Sequence, residues 1–193
     1  MLELQDVHKS YAGRKILAGL SLALAAGEIL CLTGPSGSGK STALEIMAGL
    51  IRPEQGRVRR DTEISLLFQD DALIHWLNAA NNLAYILPPK TRFIPRWLER
   101  FGLAGETYPP AMSGGMRRRL GLARAFAAGR KVILLDEPFA FLDQAWQETV
   151  AEEIAAQAAA GASLALTAHS PDTLNFPCLA GLPRRILPLP VPG

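Results

Sequence analysis

A glycine-rich segment at residues 34–41 has residue types and a spacing suited to phosphate binding. It reads Gly-Pro-Ser-Gly-Ser-Gly-Lys-Ser and fits the pattern G-x-x-x-x-G-K-S/T in full. Its glycines let backbone N–H groups approach phosphate oxygens, Lys40 brings a mobile positive charge, and Ser41 can ligate Mg²⁺. The candidate phosphate-binding residues are Gly34, Pro35, Ser36, Gly37, Ser38, Gly39, Lys40, Ser41 and Thr42.

Two adjacent acids, Asp136 and Glu137, stand directly after a continuous apolar run at residues 132–135. Either the strand merely ends in polar residues, or the acids do chemistry, because carboxylates at the end of a buried strand are otherwise costly. In the second case Asp136 would hold Mg²⁺, and Glu137 would orient and deprotonate a water that attacks a terminal phosphate. Together with the glycine-rich segment, the pair predicts a P-loop NTPase.

The composition favours a single folded domain of modest charge. The chain has 193 residues, and 49 % of them are hydrophobic, which suffices for a core and is too much for a disordered chain. A net charge of +2 argues against a strongly basic nucleic-acid binder. The two cysteines show no disulfide or zinc spacing and fit a reducing compartment. No signal peptide is expected, and no apolar run reaches the ~20 residues that span a bilayer.

The hydrophobic pattern predicts strands that alternate with helices around the glycine-rich segment. Strands are expected within the first 24 residues and at 29–33, 57–60, 64–68, 131–135 and 163–167. Helices are expected directly after the glycine-rich segment and at 96–101, 116–128 and 144–160. Residues 71–111 are predicted to form a mostly helical insertion, whereas the prolines of the tail from residue 177 disfavour helix. This order predicts an α/β fold with a largely parallel core sheet.

A turn followed by a basic helix at residues 112–129 has three interpretations. Ser-Gly-Gly at 113–115 precedes a run of arginines. The segment could be an N-cap before a solvated face, a nucleic-acid-binding helix, or an anion site that another group completes. Leu120, Ala123 and Ala127 lie at helical spacing and are expected to pack on the core. The arginines would then lie on the other faces of the helix.

Further residues narrow the class of P-loop NTPase. Gln69 follows the strand at 64–68, and His169 follows the strand at 163–167. The complete order is the glycine-rich segment, Gln69, Ser113-Gly114-Gly115, Asp136-Glu137-Pro138, Leu142-Asp143 and His169. In this order the motifs resemble the nucleotide-binding subunit of ABC transporters, and the resemblance covers the chain from Tyr11 to His169.

The resemblance implies one ABC-type nucleotide-binding domain in the class of α/β P-loop NTPases. It would have a RecA-like parallel-sheet core, an N-terminal antiparallel sheet and a helical insertion. The implied catalytic core covers about residues 1–70 and 129–193, and the implied helical subdomain covers about residues 71–128.

The resemblance also implies an ATPase that works as a pair of subunits. Two domains would pack head to tail around two ATP molecules with Mg²⁺. Ser113, Gly114 and Gly115 of one subunit would then face the phosphate loop of the other. The implied roles are Lys40, Glu137 and His169 in catalysis, Ser41, Gln69 and Asp136 at Mg²⁺, Tyr11 on adenine, and Asp143 in the loop that contacts the partner. For Tyr11 the alternative is an ordinary surface or core tyrosine.

The segment at residues 68–78 indicates a branch of the family. Its aromatic residues, Gln, Leu and Trp-Leu pair resemble importers for nitrate, sulfonate, taurine and related small anions. This implies a permease, a second identical nucleotide-binding subunit and an extracytoplasmic solute-binding protein as partners, no nucleic acid, and a place at the cytoplasmic face of the membrane. Leu73 and Trp76 would line the groove for a permease helix or belong to the core. The alternative is a soluble ABC-type ATPase or a nucleotide-dependent regulatory module.

Four features depart from the family pattern. Met116 stands where many relatives have Gln, and His75 stands where many have Pro. Ala140 and Phe141 replace smaller or hydroxylated residues. The chain continues for only 24 residues after His169, so the closing helices of the family are expected to be reduced.

Overall fold

A computed structural model describes residues 2–87 and 93–190. The strands are β1 (Leu2–Tyr11), β2 (Arg14–Leu24), β3 (Ile29–Thr33), β4 (Gln55–Arg60), β5 (Ile64–Leu67), β6 (Val132–Leu135), β7 (Ser163–Ala168) and β8 (Arg184–Pro188). The α-helices are α1 (Lys40–Ala48), α2 (Ala79–Ile86), α3 (Ile94–Arg100), α4 (Gly114–Ala127) and α5 (Gln144–Ala159). Short 3₁₀ turns lie at Pro109–Ala111, Pro171–Leu174 and Pro177–Leu179. None of the helices in these two ranges is long and apolar enough to cross a bilayer.

A five-stranded sheet in the order β5-β6-β7-β3-β8 forms the core, and all its neighbouring strands are parallel. The three central strands are buried along their whole length, as their continuous apolar runs predict. Because parallel strands end at the same edge, the segments that follow β3, β6 and β7 meet there. The predicted α/β fold with a parallel core is thus confirmed.

Alternate residues of the central strands face two different hydrophobic clusters. On one face, Leu30 and Leu32 pack with α1 and the apolar side of a three-stranded antiparallel sheet, β2-β1-β4. On the other face, Ile29 and Cys31 join the cluster that contains the buried residues of α4 and α5. The N-terminal antiparallel sheet is therefore present, as expected.

The region between β5 and α4 contains two helices and a turn organised by one buried amide. Asn82 of α2 donates to the carbonyls of Ile74, Leu77 and Asn78 at 2.8–3.1 Å, and its Oδ1 accepts from Ile74 N at 3.0 Å. This network orders residues 74–78. Leu73 is buried in the core, whereas Trp76 is 80 % exposed, so the core alternative for Trp76 is wrong.

The tail contains a strand that the sequence pattern did not predict. β8 pairs with β3 from Ile29 opposite Arg184 to Thr33 opposite Pro188. Proline lacks an N–H donor, but β8 is an edge strand, and this position tolerates proline. The segment between His169 and β8 has two 3₁₀ turns in place of longer helices.

Candidate functional site

The glycine-rich segment joins β3 to α1 and is tightly enclosed by two strands. Gly34 has a φ of +150° and Gly39 a φ of +89°, conformations that favour glycine. A Cβ atom on Gly34 would lie 2.5 Å from the carbonyl oxygen of Leu189, just after β8. A Cβ atom on Gly39 would lie 2.8 Å from the carbonyl oxygen of Ile16 in β2. The loop therefore needs glycine for both conformation and close contact.

Lys40 lies inside this loop. Its side chain is buried, and Nζ donates to the carbonyls of Gly34 at 2.7 Å and Pro35 at 2.9 Å. An ammonium group has three donors, so a third remains for a ligand held by the loop. The Ser38 hydroxyl is also buried and has no hydrogen-bond partner among residues 2–87 and 93–190. Together with the open N-terminus of α1, these donors fit an anion such as phosphate.

Thr167 connects the two adjacent acids at the end of β6. Its Oγ1 donates to Asp136 Oδ1 at 2.6 Å and accepts from Glu137 N at 2.8 Å. Glu137 has a φ of +48°, a left-handed conformation that is unusual for a residue with a side chain. Its carboxylate Oε1 lies 2.9 Å from His169 Nε2. An open cavity of about 200 Å³ adjoins Glu137, Thr167 and His169.

The surroundings of Asp136 favour a divalent cation. Burial, and after it the nearby charge of Asp136, raises the pKa of Glu45 on α1. A cation at Asp136 would relieve this repulsion. No group of three or more His, Cys, Asp or Glu side chains suited to a metal occurs in the described part of the chain. Mg²⁺ often takes one or two protein oxygens together with phosphates of its ligand, and the buried Asp136 carboxylate could supply one of these oxygens.

Gln69 follows β5 and adjoins the same edge of the sheet. The N–H of Asp136 donates to Leu67 O at 3.0 Å, which places the start of the Gln69 segment beside the acids. The side chain of Gln69 is exposed. The structure thus brings the phosphate loop, Gln69, the acid pair and His169 to one edge, as expected from the parallel strands.

The Ser-Gly-Gly segment lies at the start of α4. Ser113 is the N-cap, and its Oγ accepts from Met116 N at 3.2 Å. Asp143 caps α5 in the same way, with Oδ1 accepting from Trp146 N at 3.0 Å. A Cβ atom on Gly115 would lie 3.0 Å from Phe141 O, so the two helix starts are neighbours. Within the described residues, no hydrogen bond or ion pair joins Ser113–Gly115 to the phosphate loop.

Tyr11 lies at the turn between β1 and β2 and is 45 % exposed. The ammonium of Lys9 lies 5.3 Å from the centre of its ring. A core position is therefore excluded, and both an ordinary surface tyrosine and a ring that stacks on adenine agree with this exposure.

The expectation that the α4 arginines avoid the core is wrong for Arg118. This side chain is only 1 % exposed and donates to carbonyls of Phe68 and Glu137. Sequence reasoning missed both Arg118 and Thr167. For Arg118 a signal existed, because it shares the helical spacing i, i+3, i+4, i+7 with other buried residues: Gly121, Leu122 and Ala125.

Comparison with known proteins identifies a family with these features. The pattern of the family described as ABC transporter matches residues 17–140. An aliphatic sulfonates import ATP-binding protein of Pseudomonas syringae pv. syringae is 40 % identical over 150 residues, covering 74 % of this chain and 62 % of that protein. A taurine import ATP-binding protein of Pseudomonas aeruginosa is 45 % identical over 152 residues, covering 70 % of this chain and 58 % of that protein. The chain thus spans about three fifths of the length of these two relatives.

Two further proteins match over larger shares of their length. A cytochrome c biogenesis ATP-binding export protein of Gluconobacter oxydans is 39 % identical over 177 residues, covering 91 % of this chain and 84 % of that protein. A solved dimeric ATP-binding cassette in a post-hydrolysis state, bound to ADP and Pi, has a TM-score of 0.83 at 26 % identity and covers 90 % of both chains. The fold described above is therefore the fold of an ABC ATPase cassette.

Proposed function

The chain belongs to the ABC transporter family, and we propose that it is the ATP-hydrolysing subunit of an importer for a small anion of the nitrate, sulfonate or taurine kind. One observation carries the proposal. The phosphate loop with Lys40, the pair Asp136–Glu137 and His169 occupy adjacent positions at one edge of the parallel sheet.

The phosphate loop is the proposed binding site for the phosphates of ATP. The start of α1 and the Lys40 ammonium supply positive charge there, and the buried Ser38 hydroxyl would gain a partner. The exposed ring of Tyr11 is proposed to stack on adenine. The proposed holders of Mg²⁺, which when bound would neutralise charge on the phosphates, are Ser41, Gln69 and Asp136.

Glu137 is the proposed general base. Its carboxylate would accept a proton from the attacking water, whose oxygen bonds to the terminal phosphorus while the bond from that phosphorus to the ADP oxygen breaks. His169 Nε2, at 2.9 Å from the carboxylate, would hold the water and the terminal phosphate in line. Thr167 would hold the Asp136 carboxylate and the Glu137 backbone in a fixed arrangement.

The outward-facing start of α4 supports a second copy of the chain as the partner. Ser113, Gly114 and Gly115 have no bond to their own phosphate loop in the ranges described, and the N-terminus of α4 presents donors to solvent. We propose that they and the loop at Asp143 bind the nucleotide held by the other subunit. The dimeric nucleotide-bound cassette of similar fold supports this arrangement.

The proposed permease contact is the groove between β5, α2 and α4. It is an open cavity of about 400 Å³ lined by Phe68, Asp71 and Tyr85, among others, and the exposed Trp76 belongs to the same loop region. A permease seated there would hold the chain at the cytoplasmic face of the membrane, and an extracytoplasmic solute-binding protein would complete the importer. The sulfonate and taurine importers at 40 % and 45 % identity support this assignment.

An export function is the second candidate. The cytochrome c biogenesis export protein matches over 91 % of this chain and 84 % of its own length, a larger share than either importer. Co-purification from membranes of the source cells would decide between the two. A bound permease with a solute-binding protein supports import, whereas a membrane partner of a cytochrome c biogenesis system supports export.

Hydrolysis itself is tested by replacing Lys40. Lys40→Ala removes the ammonium from the loop, and we expect phosphate release from MgATP by the purified chain to fall by a factor on the order of 10²–10³. The matched control is Lys131→Ala at an exposed site before β6, which should keep the wild-type rate. Undiminished hydrolysis by the Lys40 variant would refute the assignment of the phosphate loop.

A further inference from the structure

A buried guanidinium joins the Gln69 segment to the acid pair. The side chain of Arg118, on α4, is 1 % exposed. One terminal nitrogen, NH1, donates to Phe68 O at 2.8 Å, Gln69 O at 3.4 Å and Asp71 Oδ1 at 2.8 Å. The other, NH2, donates to the carbonyls of Asp136 and Glu137, at 2.7 Å for Glu137.

Such burial needs a compensating arrangement. An unpaired charge in a protein interior is strongly unfavourable, whereas a paired and fully hydrogen-bonded one is tolerated. The two terminal nitrogens of Arg118 contact one carboxylate, that of Asp71, and four backbone carbonyls from two different segments, whereas its buried Nε has no hydrogen-bond partner among the described residues. The planar fork of guanidinium can satisfy both segments at once, which the point charge of a lysine cannot.

The acid-pair side of this contact fixes a strained backbone. Glu137 has a φ of +48°, a left-handed conformation that is unfavourable for a residue with a Cβ atom. Arg118 binds its carbonyl, and Thr167 binds its N–H. The side chain of this residue reaches His169, with the Glu137 carboxylate 2.9 Å from His169 Nε2.

The other side of the contact is a second strained turn. Asp71 and Ala72 have φ values of +41° and +46°. Arg118 holds the carboxylate of Asp71, and Arg124, six residues further along α4, donates to Ala72 O at 2.7 Å. A Cβ atom on Gly121 would lie 2.8 Å from Leu67 Cδ1, so the missing side chain lets α4 approach this turn.

We propose that Arg118 is a positioning residue that sets the Glu137 carboxylate and links it to the turn at residues 68–72. This inference rests on the proposed function of Glu137 as general base. Phe68, Asp71 and Ala72 also line the groove proposed for the permease. A displacement of that groove wall is therefore transmitted through one guanidinium to the backbone of the base.

The test replaces Arg118 and separates turnover from nucleotide binding. Arg118→Met keeps the length of the side chain and removes every donor, so kcat for MgATP should fall by about tenfold or more. The Kd for ADP measured without Mg²⁺ should stay within about twofold, because the phosphate loop is untouched. Arg118→Lys and Asp71→Asn, which each retain part of the network, should give intermediate kcat values.

A matched control accounts for loss of stability. Leu122→Ala removes a fully buried side chain from the same helix and leaves every hydrogen bond of Arg118 in place. It should lower the Tm but leave kcat per folded molecule within about twofold of wild type. If Arg118→Met does not fold, Arg118→Lys and Asp71→Asn allow the same comparison of kcat with the Kd for ADP.

The outcomes separate the two proposals. Wild-type kcat in Arg118→Met or, failing that, in both partial variants overturns the positioning role. Equal losses of kcat and of ADP affinity without Mg²⁺ also overturn it. If the wild-type chain does not hydrolyse ATP, the proposed function fails instead.

Discussion

At the scale of single residues, Thr167 is the smallest group on which the acid pair depends. It is fully buried, and its one hydroxyl bonds both Asp136 and Glu137. Valine has the same shape without these bonds. The exchange would leave a carboxylate oxygen and an N–H group short of partners in the interior, and such groups are costly.

We therefore predict that Thr167→Val lowers the free energy of unfolding by about 1–3 kcal/mol and reduces kcat for ATP. Urea unfolding and phosphate release measure the two effects. Thr149→Val is the matched control, because Thr149 on α5 is half-buried and its Oγ1, among the described residues, bonds only to Ala145 O. An equal, small effect of both exchanges would show that the Thr167 network does not hold the acids.

Individual site residues were predictable where a motif fixes both residue type and place. Lys40, Asp136 and Glu137 follow central strands, and the structure places them as their spacing indicates. Thr167 is one polar residue in an apolar strand, with no pattern that reveals its partners. Arg118 was missed because charge alone argues for exposure, and its five acceptors come from segments distant in sequence.

At the scale of elements, β8 directly supports the phosphate loop. Leu189, just after the strand, donates its N–H to Thr33 O at 2.7 Å, and its carbonyl lies against Gly34. Gly37 also has a positive φ, of +80°, but a Cβ atom there would meet nothing within 4 Å in the described chain. Gly34 thus combines an unusual backbone conformation with a close contact, whereas Gly37 has the unusual conformation without a close contact.

We predict that Gly34→Ala destabilises the chain more than Gly37→Ala does. Both exchanges carry a conformational cost of about 1–2 kcal/mol, and only the first also forces a Cβ atom against the Leu189 carbonyl. Urea unfolding of the two variants gives the comparison. Equal losses would mean that β8 does not enclose the loop as described.

The order of elements was largely predictable, because apolar runs and helical periodicity are local signals. The predicted bounds of β6, β7 and α5 agree with the structure to within a residue. β8 could not be predicted, since Pro188 within it and Pro183 before it disfavour a strand, and pairing with β3 compensates for this. The sequence also left open whether Trp76 belongs to the core, because the burial of a side chain depends on packing between distant segments.

At the scale of the whole molecule, the phosphate loop and the start of α4 share no hydrogen bond within the described residues, and we propose that a second copy of the chain brings the two features together around a nucleotide. The phosphate loop has its acids and His169 beside it, while Ser113–Gly115 and the loop at Asp143 are open to solvent. Phe141, between these two segments, is 78 % exposed and has a φ of +63°. An exposed aromatic residue beside an open helix start is suited to contact with another subunit.

The central claim is that two copies enclose ATP between a phosphate loop and the partner's α4, and its most direct test is nucleotide-dependent dimerisation. Glu137→Gln removes the base but keeps the loop, so MgATP should bind without being hydrolysed. The control combines it with Gly114→Asp, because a Cβ atom at Gly114 meets nothing within 4 Å in the described chain, whereas a carboxylate there would repel a partner's phosphate. Light scattering coupled to size-exclusion chromatography should show a monomer without nucleotide, a dimer of Glu137→Gln with MgATP, and a monomer of the double variant with MgATP. A Glu137→Gln chain that binds MgATP and remains monomeric at high concentration would contradict the account.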